Sequence, residues 1–333
     1  MDGHPELLRE IQREIGEARD GRIPFARFME LALYHERYGY YTGPESDRGG
    51  RIGKQGDYFT SVSVGPLFGK LLAKQFVKFR EELGNPPEFE VVEFGGHRGQ
   101  LRADVLAAAP DLRYRIIETG DPRPDSIVGC VFSNEFLDAL PVHLVQVKNG
   151  VWQEIYVSAG FQEVLGPLST PRLADYLRDL PVKHMEGYRT EVNLRALDWL
   201  ADVARRLKRG WIVTIDYGYE RHEYLAPHHR DGTLLCYHHH TKSANPYANI
   251  GEQDITGHVE FTSLIELGKK LGLEPVTFTD QAHYLLQIGE SEIAEIVGRT
   301  AGQPSKERAV IHQLIHPELM GRAFRVLVQR KAS

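Results

Sequence analysis

The chain contains only 2 cysteines among its 333 residues, Cys130 and Cys236. A disulfide framework or a zinc site built from cysteines needs more thiols than this, so both are excluded. No apolar run approaches the roughly 18 residues that a membrane-spanning helix requires. The first residues also lack the basic and apolar segments of a secretory signal. We therefore expect a cytoplasmic protein without a membrane span.

The chain also lacks an excess of positive charge, since its formal net charge is −6. Proteins whose main role is to bind nucleic acids usually carry a broad basic surface, so we expect no nucleic acid partner. Hydrophobic residues make up 41% of the chain, which is enough for a sizeable core. The length suits one large domain, or a core domain with an appended segment.

Two common nucleotide-binding loops are missing from the sequence. Neither G-x-x-x-x-G-K-[ST] nor G-x-G-x-x-G occurs, which argues against a P-loop and against a NAD-dependent enzyme. What is present is a short apolar run, 89–94, followed by Gly95, Gly96 and Gly99 and then by a helical pattern from Leu101. This order places backbone N–H groups and a helix N-terminus around a small ligand. On its own it also fits an ordinary strand-to-helix turn.

Three successive predicted strands end in acidic or polar residues. Glu93 and Glu118 lie at the ends of the first two, and the third, 127–132, runs into a polar segment, 133–138. The carboxyl ends of parallel strands meet at one edge of a sheet, where ligands bind. Glu118 follows Glu93 by 25 positions (118 − 93). That is near the roughly 20-residue spacing at which an acid contacts a ribose hydroxyl.

The remaining pattern alternates strands with helices, which predicts a doubly wound, mostly parallel α/β sheet. A hairpin is predicted to turn at Asn149-Gly150. The segments 164–185 and 220–257 show little pattern, and we expect an insertion and a long functional loop there. Helices are predicted over 5–18, 24–34, 67–83, 191–207, 262–271 and 306–320, and further strands over 211–216, 274–279 and 324–329. We divide the chain into an N-terminal helical segment, 1–85, and a core, 86–333, with insertions around 150–190 and 220–260.

Six short motifs follow one another along the chain: GDYFTS (56–61), VGPLFG (64–69), VVEFGGHRG (91–99), NEFLDALPVH (134–143), IDYGY (215–219) and GEQDITGHVEFT (251–262). In this order they resemble the MidA-like family of S-adenosylmethionine-dependent methyltransferases. That family includes the mitochondrial arginine methyltransferase that assists assembly of respiratory complex I. The resemblance covers roughly residues 21–331. It implies a class I methyltransferase fold, which is a Rossmann-like sheet with an N-terminal helical segment and inserted loops.

The resemblance also implies a cofactor and a reaction. The cofactor is S-adenosyl-L-methionine, and the expected acceptor is a protein side chain, arginine above all. Carboxylates suit this reaction because they can orient a protonated guanidinium and help to take up its proton. The implied cofactor-binding residues are Asp57, Glu93, Gly95, Gly96, Gly99 and Glu118; the catalytic candidates are Asn134, Glu135 and Asp138; and the substrate-side candidates are Asp216, Asp254 and His258.

Several of these residues have structural alternatives. Glu135 and Asp138 also fit a helix N-terminal pair, and Asp57 also fits a turn with its neighbouring glycine. Asp216, Asp254 and His258 also fit a strand-end carboxylate and hydrogen bonds within a loop. Asn134 could contact either the methyl acceptor or the amino-acid part of the cofactor.

Two differences from the family pattern favour a second function. The family loop is commonly E-x-G-x-G-x-G, whereas this chain has His97-Arg98 within it. The span 119–133 is also short where relatives fit a helix and another strand. The alternative is a binding or assembly protein that keeps the fold with weak catalysis. The histidine run 238–240 shows neither H-E-x-x-H nor a two-histidine, one-carboxylate spacing, so no metal is expected.

Overall fold

The structure, a computed structural model, describes residues 2–43, 60–300 and 305–332. In chain order the helices are α1 (Pro5–Glu17), α2 (Phe25–Tyr34), α3 (Leu67–Glu82), α4 (Gln100–Ala108), α5 (Pro171–Leu177), α6 (Leu194–Arg206), α7 (Arg221–Tyr224), α8 (Phe261–Lys270), α9 (Gln281–Arg299) and α10 (Lys306–Ile315). The strands are β1 (Arg22–Pro24), β2 (Glu90–Phe94), β3 (Arg113–Ile117), β4 (Ile127–Asn134), β5 (His143–Lys148), β6 (Val151–Ser158), β7 (Gln162–Gly166), β8 (Arg189–Val192), β9 (Leu207–Tyr219), β10 (Leu235–His238), β11 (Thr241–Ser243), β12 (Asp254–Thr256), β13 (Val259–Glu260), β14 (Glu274–Asp280) and β15 (Phe324–Lys331).

These elements form two compact units, each assembled from several stretches of chain. The first unit takes 1–58, 138–196 and 220–258, and the second takes 59–137, 197–219 and 259–333. This grouping differs from the expected division at residue 85. The reason is that α3 packs its apolar face, including Phe76 and Phe79, into the core that surrounds the later strands.

A seven-stranded sheet forms the centre of the second unit, with the order β3-β2-β4-β9-β15-β14 and with β13 paired to β9. The strands β3, β2, β4 and β9 are parallel, whereas β15 is antiparallel to both of its neighbours. The expected mostly parallel sheet is therefore confirmed. Aromatic side chains anchor helices on it, since Phe76 of α3 contacts Phe132 of β4 and Trp199 of α6 contacts Phe94 of β2.

The direction of chain connection reverses between β2 and β4. From β2 the chain crosses through α4 to β3 on one side, whereas β4 and β9 lie on the other side of β2. A reversal of this kind leaves a crevice outside the carboxyl ends of the two strands, which is where open α/β sheets bind their ligands. We refer to the carboxyl ends of β2 and β4 as the switch point.

In the part of the first unit that the structure describes there are two antiparallel sheets. One has the order β1-β6-β5-β8 with β7 paired to β6, and the other has the order β11-β10-β12. The buried faces of α1 and α2 pack in the same core as β5 and β6. The predicted hairpin is confirmed, since β5 and β6 join at Asn149 and Gly150, which have φ values of +53° and +73°.

Several other predictions are wrong. The segments 164–185 and 220–257 contain regular secondary structure. The first includes the end of β7 and all of α5, and the second includes α7 and the strands β10 to β12. The helix expected over 191–207 begins only at Leu194, because 189–192 pairs with β5 as β8. Gly210 lies within β9 beside Gly129 of β4, so closely that a Cβ on Gly210 would stand 1.9 Å from the Gly129 carbonyl oxygen.

The elements α1, α2, α3, α8, β2 and β14 each begin and end within one residue of their predicted bounds. The helix α9 has no counterpart among the predictions. Within the described ranges, no helix is both long and apolar enough to cross a membrane.

Candidate functional site

The turn between β2 and α4 requires glycine. Gly95 has a φ of +72°, and a Cβ there would stand 2.8 Å from Cδ2 of Phe136. Gly99 also has a φ of +72° and immediately precedes the first residue of α4. The Gly95 N–H donates to the Ile117 carbonyl oxygen at 3.1 Å, which ties the turn to the end of β3. The N-terminus of α4 is thereby held just beyond the switch point.

Glu93 supports this turn from inside the protein. Its side chain is only 3% exposed, and the Tyr114 hydroxyl donates a hydrogen bond to its Oε2 at 3.0 Å. The carboxylate occupies the space beside Gly96, where an added Cβ would stand 2.6 Å from Oε2. The pKa of Glu93 is raised to about 7, mainly because burial disfavours the charged form; the Tyr114 hydrogen bond opposes this shift, and the charge of Glu118 adds to it.

Glu118 follows β3 and lies against the same turn. Its backbone N–H donates to Oδ2 of Asp121 at 2.8 Å, and its carboxylate accepts a hydrogen bond from the backbone of His97. Desolvation raises the pKa of Glu118, and the nearby Asp121 charge acts in the same direction. The structure therefore brings together Glu93, the glycine turn and Glu118, as the sequence predicts.

On the other side of the switch point, Asn134 ends β4 and Glu135 follows it. Glu135 has a φ of +52°, which is a strained conformation for a residue with a side chain. Its Oε1 accepts hydrogen bonds from the Asn134 Nδ2 at 2.9 Å and from the Ser61 backbone N–H at 3.1 Å. Ser61 is the last residue of the GDYFTS motif, whose Asp57 lies outside the described residues.

Asp216 holds the loop that follows β4. It is fully buried in β9, and its Oδ2 accepts hydrogen bonds from the backbone N–H groups of Phe136, at 3.2 Å, and Leu137, at 2.8 Å. Its Oδ1 accepts from the Tyr217 N–H at 2.9 Å. These contacts favour the strand-end structural role for Asp216, and its substrate-side role stays a prediction.

The other three candidates belong to the first unit. The Asp138 carbonyl oxygen accepts from the Gly257 N–H at 2.9 Å, and the Asp254 Oδ1 accepts from the Tyr41 hydroxyl at 2.7 Å. The His258 Nδ1 lies 3.2 Å from the Thr233 carbonyl oxygen. Because a carbonyl can only accept, Nδ1 carries the proton. Burial lowers the pKa of His258 to about 4, so this ring is neutral at pH 7.

Sequence reasoning missed a buried carboxylate that organises the first unit. Glu191 was placed at the start of a helix, but it lies in β8 and is 3% exposed. Its oxygens accept hydrogen bonds from the backbone N–H groups of Thr233 and Leu234, from the Thr233 hydroxyl and from the Tyr224 hydroxyl. The available signal was the pair of β-branched residues, Thr190 and Val192, on either side of this acid, which favours a strand.

Sequence reasoning also missed a histidine–carboxylate pair in the same unit. His143 is the last residue of the NEFLDALPVH motif, and its Nδ1 lies 2.7 Å from the fully buried Glu154 carboxylate.

Among the described residues, the structure contains no group of three or more His, Cys, Asp or Glu side chains that could hold a metal ion.

Comparison with known proteins gives a consistent picture. A family model described as "Putative S-adenosyl-L-methionine-dependent methyltransferase" matches residues 117–279. The chain is also similar to a "likely methyl transferase" from Burkholderia thailandensis, whose crystal structure is bound to S-adenosyl-homocysteine. That match has 30% identity and a TM-score of 0.86, and it covers 98% of this chain and 92% of the other.

Curated relatives extend the similarity to proteins with named activities. The mitochondrial protein arginine methyltransferase NDUFAF7 homolog of Drosophila melanogaster is 23% identical, over 98% of this chain and 85% of that protein. NDUFAF7 of Mus musculus is 24% identical, over 96% of this chain and 83% of that protein.

Proposed function

The chain belongs to the MidA-like family of S-adenosyl-L-methionine-dependent methyltransferases, and from this premise we infer that it methylates a protein side chain, arginine above all. The observation that carries the proposal is the switch point. There a glycine turn, a helix N-terminus and two acids meet on one side, and Asn134 and Glu135 lie on the other. Arginine is the acceptor in the names of the curated relatives, which supports the same choice here.

Of the cofactor residues proposed from the sequence, those that the structure describes lie around this position: Glu93, Gly95, Gly96, Gly99 and Glu118. The turn at Gly95–Gly99 presents backbone groups and the α4 N-terminus to a ligand. Glu118 is placed after β3, the strand whose terminal acid contacts ribose hydroxyls in nucleotide-type folds. Glu93 supports the turn from inside the protein, because its carboxylate occupies the space beside Gly96. When bound, the cofactor supplies a methyl group activated on a sulfonium.

The protein's own task is to align the acceptor and to exclude water. Carboxylates suit an arginine acceptor, because they match the guanidinium donors and can help to remove its proton. We keep Asn134, Glu135 and Asp138 as the proposed residues for this task, with Glu135 acting through its hydrogen bond with Asn134. A cytoplasmic location stays a prediction, since the named relatives are mitochondrial.

One observation favours the second candidate function, a binding or assembly protein with weak catalysis. In this structure β3 is an edge strand, and residues 118–126 form no helix or strand. On this side of the sheet, the described chain therefore lacks the further helix and strand that relatives have between these positions. Such a reduction would weaken the hold on the adenosine end of the cofactor.

A labelling experiment separates the two functions. Purified protein is incubated with S-adenosylmethionine that carries a labelled methyl group and with an extract of cells that lack this protein. Labelled protein is then hydrolysed and its methylated amino acids are identified. We expect label in methylarginine, and we expect none with the Gly95→Val variant as the matched control.

Label in another amino acid would contradict arginine as the acceptor. Cofactor binding without any label in protein would contradict the methyl-transfer proposal and favour the binding role.

A further inference from the structure

The side-chain amide of Asn134 has only one of its two ends satisfied. Asn134 is 8% exposed, and its Nδ2 donates to the Glu135 Oε1 at 2.9 Å. Its Oδ1 is buried and has no hydrogen-bond partner among the residues that the structure describes. Buried carbonyl oxygens are normally paired, so an unpaired one at a ligand-binding edge points to a missing donor.

Glu135 fixes which way this amide points. A carboxylate oxygen can only accept hydrogen bonds, so the Asn134 group that faces it must be the NH₂ and not the oxygen. The same Oε1 is held in place by the Ser61 N–H at 3.1 Å. Glu135 adopts a strained φ of +52° at the position where its side chain contacts the preceding residue. The oxygen of the Asn134 amide is therefore presented in one fixed orientation.

The position of Asn134 identifies the kind of donor. It ends β4 at the switch point, in register with Ile215 of β9, and on the strand beside the glycine turn. The neighbouring Ser133 Oγ is also buried without a partner in the described part of the chain. Because successive residues of a strand point to opposite faces, Ser133 does not share the face of Asn134. Asn134 thus presents a single neutral acceptor beside a carboxylate, a combination that suits a cationic N–H group.

We propose that the Asn134 Oδ1 accepts a hydrogen bond from a cationic N–H group bound at the switch point, and that Glu135 is the positioning residue that aims it. This rests on the proposed function, which supplies two such groups. One is the α-ammonium of the amino-acid part of the cofactor, and the other is the guanidinium of the methyl acceptor. Both are donors of the same chemistry, so the experiment is designed to distinguish them.

The first test compares ligand affinities in Asn134→Leu, which keeps the approximate shape of asparagine without its polar atoms. Calorimetry measures S-adenosylhomocysteine, which has the ammonium, and 5′-methylthioadenosine, which lacks the amino-acid part. If the ammonium is the donor, the affinity for S-adenosylhomocysteine falls roughly tenfold or more, and the affinity for 5′-methylthioadenosine stays within about twofold. If the guanidinium is the donor, both affinities stay and methyl transfer to protein falls by a similar factor.

Ser133→Ala is the matched control, because it removes the adjacent buried and unpaired polar atom and should change none of these quantities. Asn134→Ala replaces the leucine variant if the latter does not fold. The proposal is overturned if the affinity for S-adenosylhomocysteine and the rate of methyl transfer to protein both stay within about twofold of the wild type. It is also overturned if the affinities for the two ligands fall together. Failure of the wild-type protein to bind S-adenosylhomocysteine would instead contradict the proposed function.

The role of Glu135 is tested by conservative rescue and by a double-mutant cycle. Glu135→Gln keeps an oxygen that can accept from Asn134, so it should retain most of the function that Glu135→Ala loses. In the Asn134→Leu background, Glu135→Ala should cause little further loss of ligand affinity or methyl transfer, because the amide that Glu135 orients is already absent. Additive losses, or equal losses in the glutamine and alanine variants, would overturn the positioning role.

Discussion

At the scale of single residues, the buried carboxyl of Glu93 has a strongly raised pKa. Its pKa lies near 7 in the folded protein because burial disfavours its charged form, compared with an ordinary value of 4.5. The unfolded chain therefore loses this proton first as the pH rises. Between pH 4.5 and pH 7 the contribution of Glu93 to the free energy of unfolding falls progressively as the pH rises. This loss of stability is fully present above pH 7.

We predict that Glu93→Gln removes this cost. Relative to the wild type, the variant should gain stability as the pH rises from 4.5 to 7, by about 3 kcal/mol if the whole shift is expressed. Denaturant unfolding at a series of pH values measures the difference. A constant difference between the two proteins over that range would contradict the buried and partly protonated state of Glu93.

The chemistry of individual site residues was only partly visible in the sequence. Glu93 and Glu118 were identified because each ends an apolar run, and that pattern is local. The contacts of Glu135 with Ser61 and of Asp216 with Phe136 join residues 74 and 80 positions apart. No local pattern encodes such pairs, so the sequence could suggest these side chains but not their partners.

At the scale of elements, the β2–α4 turn depends on two separate properties of glycine. Gly95 and Gly272 have similar φ values, +72° and +78°, but only Gly95 has a neighbour, Phe136, within reach of an added Cβ. We predict that Gly95→Ala and Gly272→Ala each lose roughly 1 kcal/mol of stability from backbone strain. Only Gly95→Ala should also weaken S-adenosylhomocysteine binding, because its Cβ displaces Phe136 at the switch point.

Thermal unfolding and calorimetric titration of both variants check this prediction. Equal ligand affinities in the two alanine variants would show that the packing of Gly95 against Phe136 does not matter for binding.

Elements with a continuous apolar pattern were predictable, and elements that depend on tertiary contacts were not. The helix α9 was missed, and it is interrupted at Gly289, where φ is −135°. The close packing against α3 favours glycine there, because an added Cβ would stand 2.3 Å from Cδ2 of Leu71, which would have to move. The region 220–257 resembled a loop because its strands are short, and its start is fixed by the distant Glu191 carboxylate.

At the scale of the whole molecule, the alternation of strands and helices was enough to predict the parallel sheet of the second unit. It was not enough to predict that each unit is assembled from separated stretches of chain. Similarity to a methyltransferase structure over 98% of the chain supports one function for the full length. The proposed function therefore depends on the binding of S-adenosylmethionine and its product at the switch point.

Calorimetric titration of the wild-type protein with S-adenosylhomocysteine, with NAD as the control ligand, tests this binding most directly. We predict micromolar binding of S-adenosylhomocysteine at one site per chain and no binding of NAD. Comparable binding of NAD, or no binding of S-adenosylhomocysteine, would contradict the account.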